Sequence, residues 1–152
     1  MGLDMYLKGK RYLSTWNEEG EDAKISKDVS ARFPEIAGRT VNEITCELGY
    51  WRKANAIHGW FVRHVQDGRD ECQESFVSQE KLTKLRDACR AVLADHTKAD
   101  VLLPPTQGFF FGSSDVDQYY LDDLAMTAKL LDSILESNLA EKGWDVYYQA
   151  SW

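Results

Sequence analysis

The sequence predicts an α+β fold, with a small antiparallel sheet packed against about three main helices. Apolar residues alternate with polar ones near both ends of the chain, as they do in strands with one buried face. They recur at helical spacing over three longer segments in between. The strands and helices do not alternate regularly, which favours an antiparallel sheet over a parallel one. The 152 residues fit a single domain, residues 1–152, that can bury its own core.

Four segments carry strand patterns. Residues 2–14 and 41–48 alternate apolar and polar side chains, residues 74–77 form a short stretch, and residues 144–149 follow a glycine that ends the last helix. A further apolar run, Gly-Phe-Phe-Phe-Gly at residues 108–112, is predicted to be a buried strand. The alternative is that one of its rings is exposed and stacks on an aromatic base.

Three segments carry helix patterns. The aromatic block from Tyr50 onward is expected to form the first helix, ending near an Asp-Gly pair at residues 67–68. The second helix is expected at about residues 79–97, with Ser78 as its N-cap. The third and longest is expected at about residues 115–141.

A polar stretch separates the first two predicted strands. Residues 17–40 contain four acidic residues close to Gly20. We expect a loop or insertion there, with at most a short helix near residues 27–32 before Pro34.

The charge of the chain excludes one class of function. The net charge is −7, whereas a general nucleic-acid binder needs an excess of Lys and Arg. Residues 113–152 carry eight acidic residues and two lysines, so −6 of the −7 lies there. This segment is expected to be a solvated helix face. The alternative is that it imitates nucleic acid in a basic groove of another protein.

The cysteines and the apolar segments bear on the cellular compartment. Cys46, Cys72 and Cys89 are odd in number and lack metal-ligand spacing, which favours free thiols in a reducing cytosol. No window approaches the roughly 18 apolar residues of a membrane helix, and no signal-peptide pattern is present. We therefore expect a cytoplasmic protein with no membrane partner.

The aromatic block at residues 50–64 is the most informative segment of the chain. Taken as one helix, it places Arg52, Asn55, Gly59 and Arg63 on a polar face. Guanidinium groups match the geometry of carboxylates and phosphates, so the two arginines are predicted to hold an anion or an acidic partner. The alternative is that both arginines pair with nearby acidic residues on the surface.

The apolar face of the same block includes His58, with Trp51 on its flank. Histidine is a natural general acid or base near neutral pH, but the sequence spacing places no nucleophile or carboxylate beside His58. A histidine hydrogen-bonded within the core is therefore preferred over catalysis. The candidate ligand-binding residues are Trp51, Arg52, Asn55, His58 and Arg63, and His58 is the catalytic candidate of the alternative.

Two other segments give weaker candidates. Residues 108–114 resemble a glycine-bracketed loop at a helix N-terminus, but they lack a phosphate-loop pattern, and Asp115 and Asp117 already place negative charge there. The members of the pairs Asp115/Asp117 and Asp122/Asp123 point apart on a helix, so no metal site is predicted. No cofactor is predicted either.

Several motifs of the chain occur together. It opens with Met-Gly-Leu-Asp-Met-Tyr-Leu, carries Tyr-Trp-Arg-Lys-Ala-Asn-Ala-Ile-His at residues 50–58 and Gly-Phe-Phe-Phe-Gly-Ser at residues 108–113, and has an aromatic tail at residues 147–152. With these motifs the chain resembles, over nearly its whole length, a family of small, uncharacterised bacteriophage proteins. The resemblance implies phage origin and action inside a bacterial cell. It implies no particular activity, fold or catalytic residue.

Two classes of function are consistent with these patterns. The favoured one is a phage accessory protein that acts in the host cytoplasm by binding. Its target is either a host protein, as in counter-defence or host takeover, or a small anionic ligand such as a nucleotide. The alternative is a small enzyme acting on a phosphate-bearing substrate, with His58 as acid or base and Arg52 and Arg63 as anchors. A carboxylate or hydroxyl beside His58 is the feature that distinguishes them. The aromatic tail packs either on its own core or on a second subunit, and in the second case the protein is a homodimer.

Overall fold

The computed structural model describes residues 2–152, which form one four-stranded antiparallel sheet and five α-helices. The strands, in the spatial order β2-β1-β4-β3, are β1 (Asp4–Tyr12), β2 (Glu43–Arg52), β3 (Ser75–Phe76) and β4 (Trp144–Ser151). The helices are α1 (Glu21–Ala31), α2 (Asn55–His64), α3 (Gln79–Ala94), α4 (Ala99–Leu102) and α5 (Gln118–Glu136). The predicted α+β class is confirmed. Among residues 2–152, no helix combines the length and the apolar character needed to span a membrane.

One face of the sheet forms the floor of the core. β1 buries Met5 and Leu7, and β4 buries Val146 and Tyr148, while the residues that alternate with them stay partly exposed. This pattern arises because successive side chains of a strand point to opposite faces. Burying a large apolar side chain contributes roughly 1.5–3 kcal/mol, so the helices that cover this face stabilise the fold.

Helices α3 and α5 supply the other side of the core. Leu85 and Val92 of α3 and Leu124 and Leu131 of α5 belong to the same buried cluster. Residues seven apart lie on one stripe of a helix, so each helix presents a continuous apolar side to the interior. α3 begins at the N-cap Ser78 as predicted, because Ser78 Oγ accepts the Lys81 amide at 3.2 Å.

Strand β2 carries a glycine where α5 crosses it. A Cβ added at Gly49 would lie 2.4 Å from Leu130 Cδ2, a distance at which one of the two groups must move. The register between β1 and β2 shifts between Leu7 and Lys8, beside this glycine. A bulge of this kind bends the strand locally. Gly49 therefore allows α5 to lie close to the sheet.

Helix α1 is longer than predicted, because it occupies much of the polar segment 17–40 and not only residues 27–32. Its inward side consists of the small residues Ala23, Ser26 and Ser30, all of which are buried. A search for large apolar residues at helical spacing does not detect such a side. The predicted loop is therefore wrong over this helix.

The boundary between β2 and α2 also differs from the prediction. The strand continues through Trp51, which pairs with Met5 of β1, and ends at Arg52. The predicted helix is wrong over residues 50–54, since α2 begins at Asn55. The cross-strand pairing outweighs the helical spacing of the aromatic block.

The phenylalanine run at residues 108–112 forms a turn, so the predicted buried strand is wrong. The Phe111 amide donates to Gly108 O at 3.1 Å and closes the turn. Phe109 at its tip is 95% exposed, whereas Phe111 is 7% exposed. Gly112, with φ of +83°, adopts the left-handed conformation that glycine takes at little cost.

Helix α5 begins later than predicted. Its N-cap is Asp117, whose carboxylate accepts the Tyr120 amide at 3.0 Å. The helix ends at Glu136, so the prediction is also wrong over residues 137–141. Gly143 ends a separate short 3₁₀ helix, Ala140–Lys142, in a left-handed conformation before β4.

Candidate functional site

The connection from β2 to α2 is a very tight turn. Lys53 has a φ of +57°, which is uncommon for a residue with a side chain. Ala54 follows with φ of −76° and ψ of 68°, and the Asn55 amide donates to Lys53 O at 2.9 Å. These values define an inverse γ-turn. The turn places the first residues of α2 directly after the end of the strand.

The first turn of α2 has no cap. Its N-cap residue, Ala54, has no side chain that can accept a hydrogen bond. Within residues 2–152, the amides of Ala56 and Ile57 have no acceptor, although both residues are buried. Such amides carry the positive end of the helix dipole and attract a negative group.

A cleft of about 300 Å³ lies at this end of α2, and we call it the α2–α5 cleft. One wall is the β2–α2 connection and the first turn of α2, residues 52–57. The other wall is the loop before α5 and the beginning of α5, with the lining residues Gly112, Ser113, Asp115, Asp117, Tyr119, Tyr120, Asp123 and Leu124. The cleft therefore lies between segments distant in sequence.

The first wall carries the two cations of the cleft. Arg52 lies 3.5 Å from Asp4 in an ion pair, with more than half of its side chain exposed. Lys53 packs its aliphatic stem near Gly112, where an added Cβ would lie 3.4 Å from Lys53 Cβ. Within residues 2–152, the Lys53 ammonium group takes part in no ion pair.

The second wall carries three carboxylates. Asp117 is occupied as the cap of α5. Asp123 is half-buried, and burial, followed by the charges of Asp122 and Asp117, raises its pKa to about 6. A carboxyl with a raised pKa in a cleft is a candidate for a functional group.

Asn55 holds the two walls together. Its Nδ2 donates to Phe111 O at 3.0 Å and to Ser113 O at 2.7 Å. Its Oδ1 accepts the Thr106 amide at 2.9 Å. The Leu3 amide adds a bond to Phe110 O at 3.2 Å. The buried amide of Asn55 is thus committed to the loop, and its polar atoms are not available to a ligand.

Trp51 lies in the core and not at the cleft. It is almost fully buried, and its indole Nε1 donates to Thr127 Oγ1 of α5 at 2.8 Å. Its ring lies edge-on to Phe61 at a centroid distance of 6.2 Å. The hydrogen bond to Thr127 joins α5 to the end of β2, and the ring contact joins α2 to it.

His58 is the centre of a buried hydrogen-bond network, which we call the His58 network. Its Nε2 lies 2.9 Å from Asp70 Oδ2, and its Nδ1 lies 2.7 Å from the Tyr148 hydroxyl. An ionised carboxylate only accepts, so Nε2 donates to Asp70, and in the tautomer with its single proton on Nε2, Nδ1 accepts from the Tyr148 hydroxyl. The second oxygen of Asp70 accepts the Trp152 indole N–H at 3.0 Å.

The network supplies both groups that sequence spacing did not place beside His58. Asp70 and Tyr148 are separated from it by 12 and 90 residues, and no motif links the three. The His58 side chain has no exposed surface, both of its nitrogens are in use, and it does not line the α2–α5 cleft. Phe111 covers it edge-on at a centroid distance of 5.1 Å. This is the geometry of a hydrogen-bonded core histidine.

Arg63 does not share a face with Arg52. Arg52 is the last residue of β2, whereas Arg63 lies in the last turn of α2, so the predicted two-arginine helix face is wrong. Gly59, expected on that open face, is buried against the loop. A Cβ added there would lie 2.0 Å from Thr106 Oγ1 and 2.9 Å from Arg63 Nη1. Of the five predicted ligand-binding residues, the structure brings Arg52 and Asn55 to the cleft.

Sequence reasoning missed Lys53 and Asp123. Lys53 was not predicted at the site because its position depends on β2 ending at Arg52, which the helical spacing did not indicate. Asp123 was considered only as part of a metal-binding pair.

A second cleft, of about 330 Å³, lies beside α1, but its charged residues Glu18, Lys27 and Arg39 are exposed to solvent. Comparisons with protein-family models, with curated proteins and with solved structures gave no match.

Proposed function

We propose that this protein binds a small ligand through an anionic group, a carboxylate or a phosphate, in the α2–α5 cleft. The observation that carries the proposal is the uncapped first turn of α2. The amides of Ala56 and Ile57 have no acceptor in residues 2–152, and both residues line a cleft that also presents Arg52 and Lys53. Helix N-termini with nearby cations are established anion-binding arrangements.

The size of the cleft favours a compact ligand. A volume of about 300 Å³ is at the lower end of the range for small-molecule sites. The strained turn at Lys53 supports the same proposal, because backbone in rare conformations concentrates at binding sites. The Asn55 bonds keep the loop wall in place before a ligand arrives, which lowers the ordering cost of binding.

Binding is favoured over catalysis. The alternative, a small enzyme acting on a phosphate-bearing substrate with His58 as acid or base, gains support from the nearby Asp70 and Tyr148. A general base must reach the proton that it removes, however, and His58 is buried with both nitrogens engaged. Phage origin and action in the host cytoplasm stay predictions from the sequence.

Capture of a host protein is the second candidate function. It is favoured by Phe109 and Tyr119, which are 95% and 82% exposed near the acidic beginning of α5. Exposed aromatic side chains are common anchors in protein interfaces. Phe109→Ser tests this candidate, because it removes the most exposed ring without touching the cleft.

The test of the anion site is native mass spectrometry of the gently purified protein, followed by calorimetric titration with inorganic phosphate and with acetate. Lys53→Asn removes a cation while keeping a residue that tolerates positive φ. Arg52→Gln removes the other cation. Arg90→Gln is the matched control, because Arg90 pairs with Asp132 outside the cleft.

The expected result is a bound anion, retained from the cell or added in titration, whose affinity falls in Lys53→Asn and Arg52→Gln but not in Arg90→Gln. Each lost charge-assisted contact is expected to weaken binding by roughly tenfold. An apo mass together with no binding of either anion would overturn the proposal. The same spectrum reports whether the protein is a monomer or a homodimer.

A further inference from the structure

We infer that the outer edge of β2 binds an extended, basic segment of a partner protein as a fifth strand of the sheet. In this segment, lysine or arginine alternates with apolar residues. The edge is separate from the α2–α5 cleft, since none of residues 43–47, which carry the inference, lines that cleft. The inference goes beyond the proposed function and does not depend on it.

Strand β2 has a neighbour on one side only. It is ten residues long and pairs with β1, whereas β3, at the other edge of the sheet, has only two residues. Residues 43–47 form a regular ladder with β1 up to the register shift. Within residues 2–152, no backbone hydrogen bond joins residues 43–47 to a segment other than β1. A long unpaired edge of this kind can accept a further strand.

The hydrogen bonds of the ladder show which backbone groups of β2 are free. The Leu13 amide donates to Asn42 O at 2.9 Å, in the register that continues through β1 and β2. Because the backbone groups of successive residues alternate in direction, residues 44 and 46 direct their N–H and C=O groups toward β1. Residues 43, 45 and 47 direct theirs to the free side. The bonds between β3 and β4, followed across β1, give the same result.

The side chains on the open face of this edge are acidic. Glu43 and Glu47 are exposed, and within residues 2–152 neither belongs to an ion pair. The lysines of the neighbouring strand β1, Lys8 and Lys10, both pair with Glu74 beside β3. Basic residues of an added strand would lie opposite the two glutamates, and opposite charges in such positions stabilise strand pairing.

The core side of the same edge is apolar and incompletely covered. Ile44, Cys46 and Leu48 are partly buried. A Cβ added at Gly9, on the buried face of β1, would lie 3.3 Å from Cys46 Sγ and 3.2 Å from Leu48 Cδ1, so these side chains share that face. Apolar residues that alternate with the basic ones in an added strand would extend the core over this strip.

A second copy of the chain fits this edge poorly. One antiparallel register pairs all three outward-facing residues, Glu43, Thr45 and Glu47, with the same residues of another copy. This register places each glutamate opposite a glutamate, and like charges in directly opposite positions are destabilising. A basic partner is therefore favoured over self-association.

NMR titration of the full chain with capped model peptides tests the inference. The basic probe is Lys-Val-Lys-Val-Lys. Its matched probes are Glu-Val-Glu-Val-Glu and the basic peptide with N-methylated lysine amides. The basic probe is expected to bind roughly tenfold more tightly than either. Its binding is expected to slow hydrogen exchange at the amides of Glu43, Thr45 and Glu47, which exchange faster than those of Ile44 and Cys46 in the free protein.

Two pairs of variants separate the backbone from the charge. Thr45→Pro removes an outward-facing amide at an edge position that tolerates proline, so binding is expected to weaken roughly tenfold. Thr45→Val keeps the amide and is expected to bind normally. The double variant Glu43→Gln/Glu47→Gln is expected to weaken binding roughly fivefold at low salt. Its control, Glu18→Gln/Glu141→Gln, removes two exposed charges elsewhere and is expected to bind normally.

The inference is overturned if the basic probe does not bind, if either matched probe binds as tightly, or if Thr45→Pro binds as well as Thr45→Val. Should Thr45→Pro fail to fold, the methylated peptide tests the same hydrogen bonds on the wild type. Sedimentation of the free protein gives the remaining outcome. A homodimer that Thr45→Pro disrupts would assign the edge to a second copy and overturn the basic partner.

Discussion

Helix α2 carries two polar sites that differ in how their hydrogen bonds are used. His58, in the middle of the helix, shares both ring nitrogens with Tyr148 and Asp70 and has no exposed surface. At the beginning of the same helix, the amides of Ala56 and Ile57 have no acceptor within residues 2–152, and both residues line the α2–α5 cleft. The His58 side chain is fully paired, whereas these two backbone amides have no hydrogen-bond partner within residues 2–152.

Whether its hydrogen bonds are already made distinguishes a polar group that maintains the fold from one that can bind a ligand. The residue type determines what a group can donate or accept, but its neighbours determine whether that capacity is free. Buried polar groups that are fully paired add rigidity, and those left unpaired need a partner. The following variants test this contrast, beginning with the largest expected effect.

His58→Ala removes the centre of the His58 network. The variant leaves the Tyr148 hydroxyl without a partner and opens a cavity beside Phe111, so we expect a loss of about 3–5 kcal/mol in the free energy of unfolding. Urea denaturation measures this loss. The control is His64→Ala, at an exposed position of the same helix, with an expected loss below about 1 kcal/mol. Equal losses in the two variants would contradict a structural role for His58.

Asn55→Ala releases the loop wall of the cleft. It removes three hydrogen bonds from a buried side chain, and we expect a loss of about 2–3 kcal/mol in unfolding free energy. The loop is expected to become sensitive to chymotrypsin at Phe110 and Phe111. Asn17→Ala, in an exposed turn, is the control. Unchanged cleavage of the loop would show that Asn55 does not hold it.

Asp123→Asn is expected to change stability in a pH-dependent manner. Burial raises the folded-state pKa of Asp123 to about 6, above its ordinary value, so the folded state binds this proton more tightly than the unfolded state. The wild type therefore loses stability as the pH rises from about 4 to about 6. The variant avoids this loss and is expected to be more stable by on the order of 2 kcal/mol near neutral pH.

Thermal unfolding near pH 4 and near pH 8 checks this prediction. The melting temperatures of wild type and Asp123→Asn are expected to agree at the lower pH and to differ at the higher pH. A constant difference at both values would mean that the Asp123 charge is not the cause.

Trp152→Phe gives the smallest expected effect. It keeps an aromatic ring near Phe111 but removes the indole donor to Asp70, at a cost of about 0.5–1.5 kcal/mol in unfolding free energy. Trp16→Phe, at a position that is 92% exposed, is the control. If the loss in unfolding free energy were as large as that of His58→Ala, the Trp152 indole would be as important to the His58 network as His58 itself.

Much of the fold could be predicted from periodicity. The strands near both ends and the cap of α3 follow from local patterns that tertiary packing did not override. The beginning of α2 could not be predicted in this way. Trp51 fits a helical stripe equally well, and only its pairing with Met5 makes it part of a strand.

The candidate site was less accessible to sequence reasoning. Arg52 was identified for its guanidinium group, but its helical partner Arg63 was chosen on a helix that does not include Arg52. The partners of His58 come from a loop and from the last strand. Contacts over such separations follow from the topology, which local spacing does not contain.

The side-chain amide of Asn55 couples three positions of the second wall of the cleft. It bonds to Thr106, Phe111 and Ser113 together, so the loop is released as one unit and does not fray residue by residue. We expect these three bonds to break together, with one opening rate. That rate limits how quickly a molecule enclosed by the wall can leave. The Thr106 amide proton, which is protected only while the bond to Asn55 exists, reports the rate through its exchange with solvent.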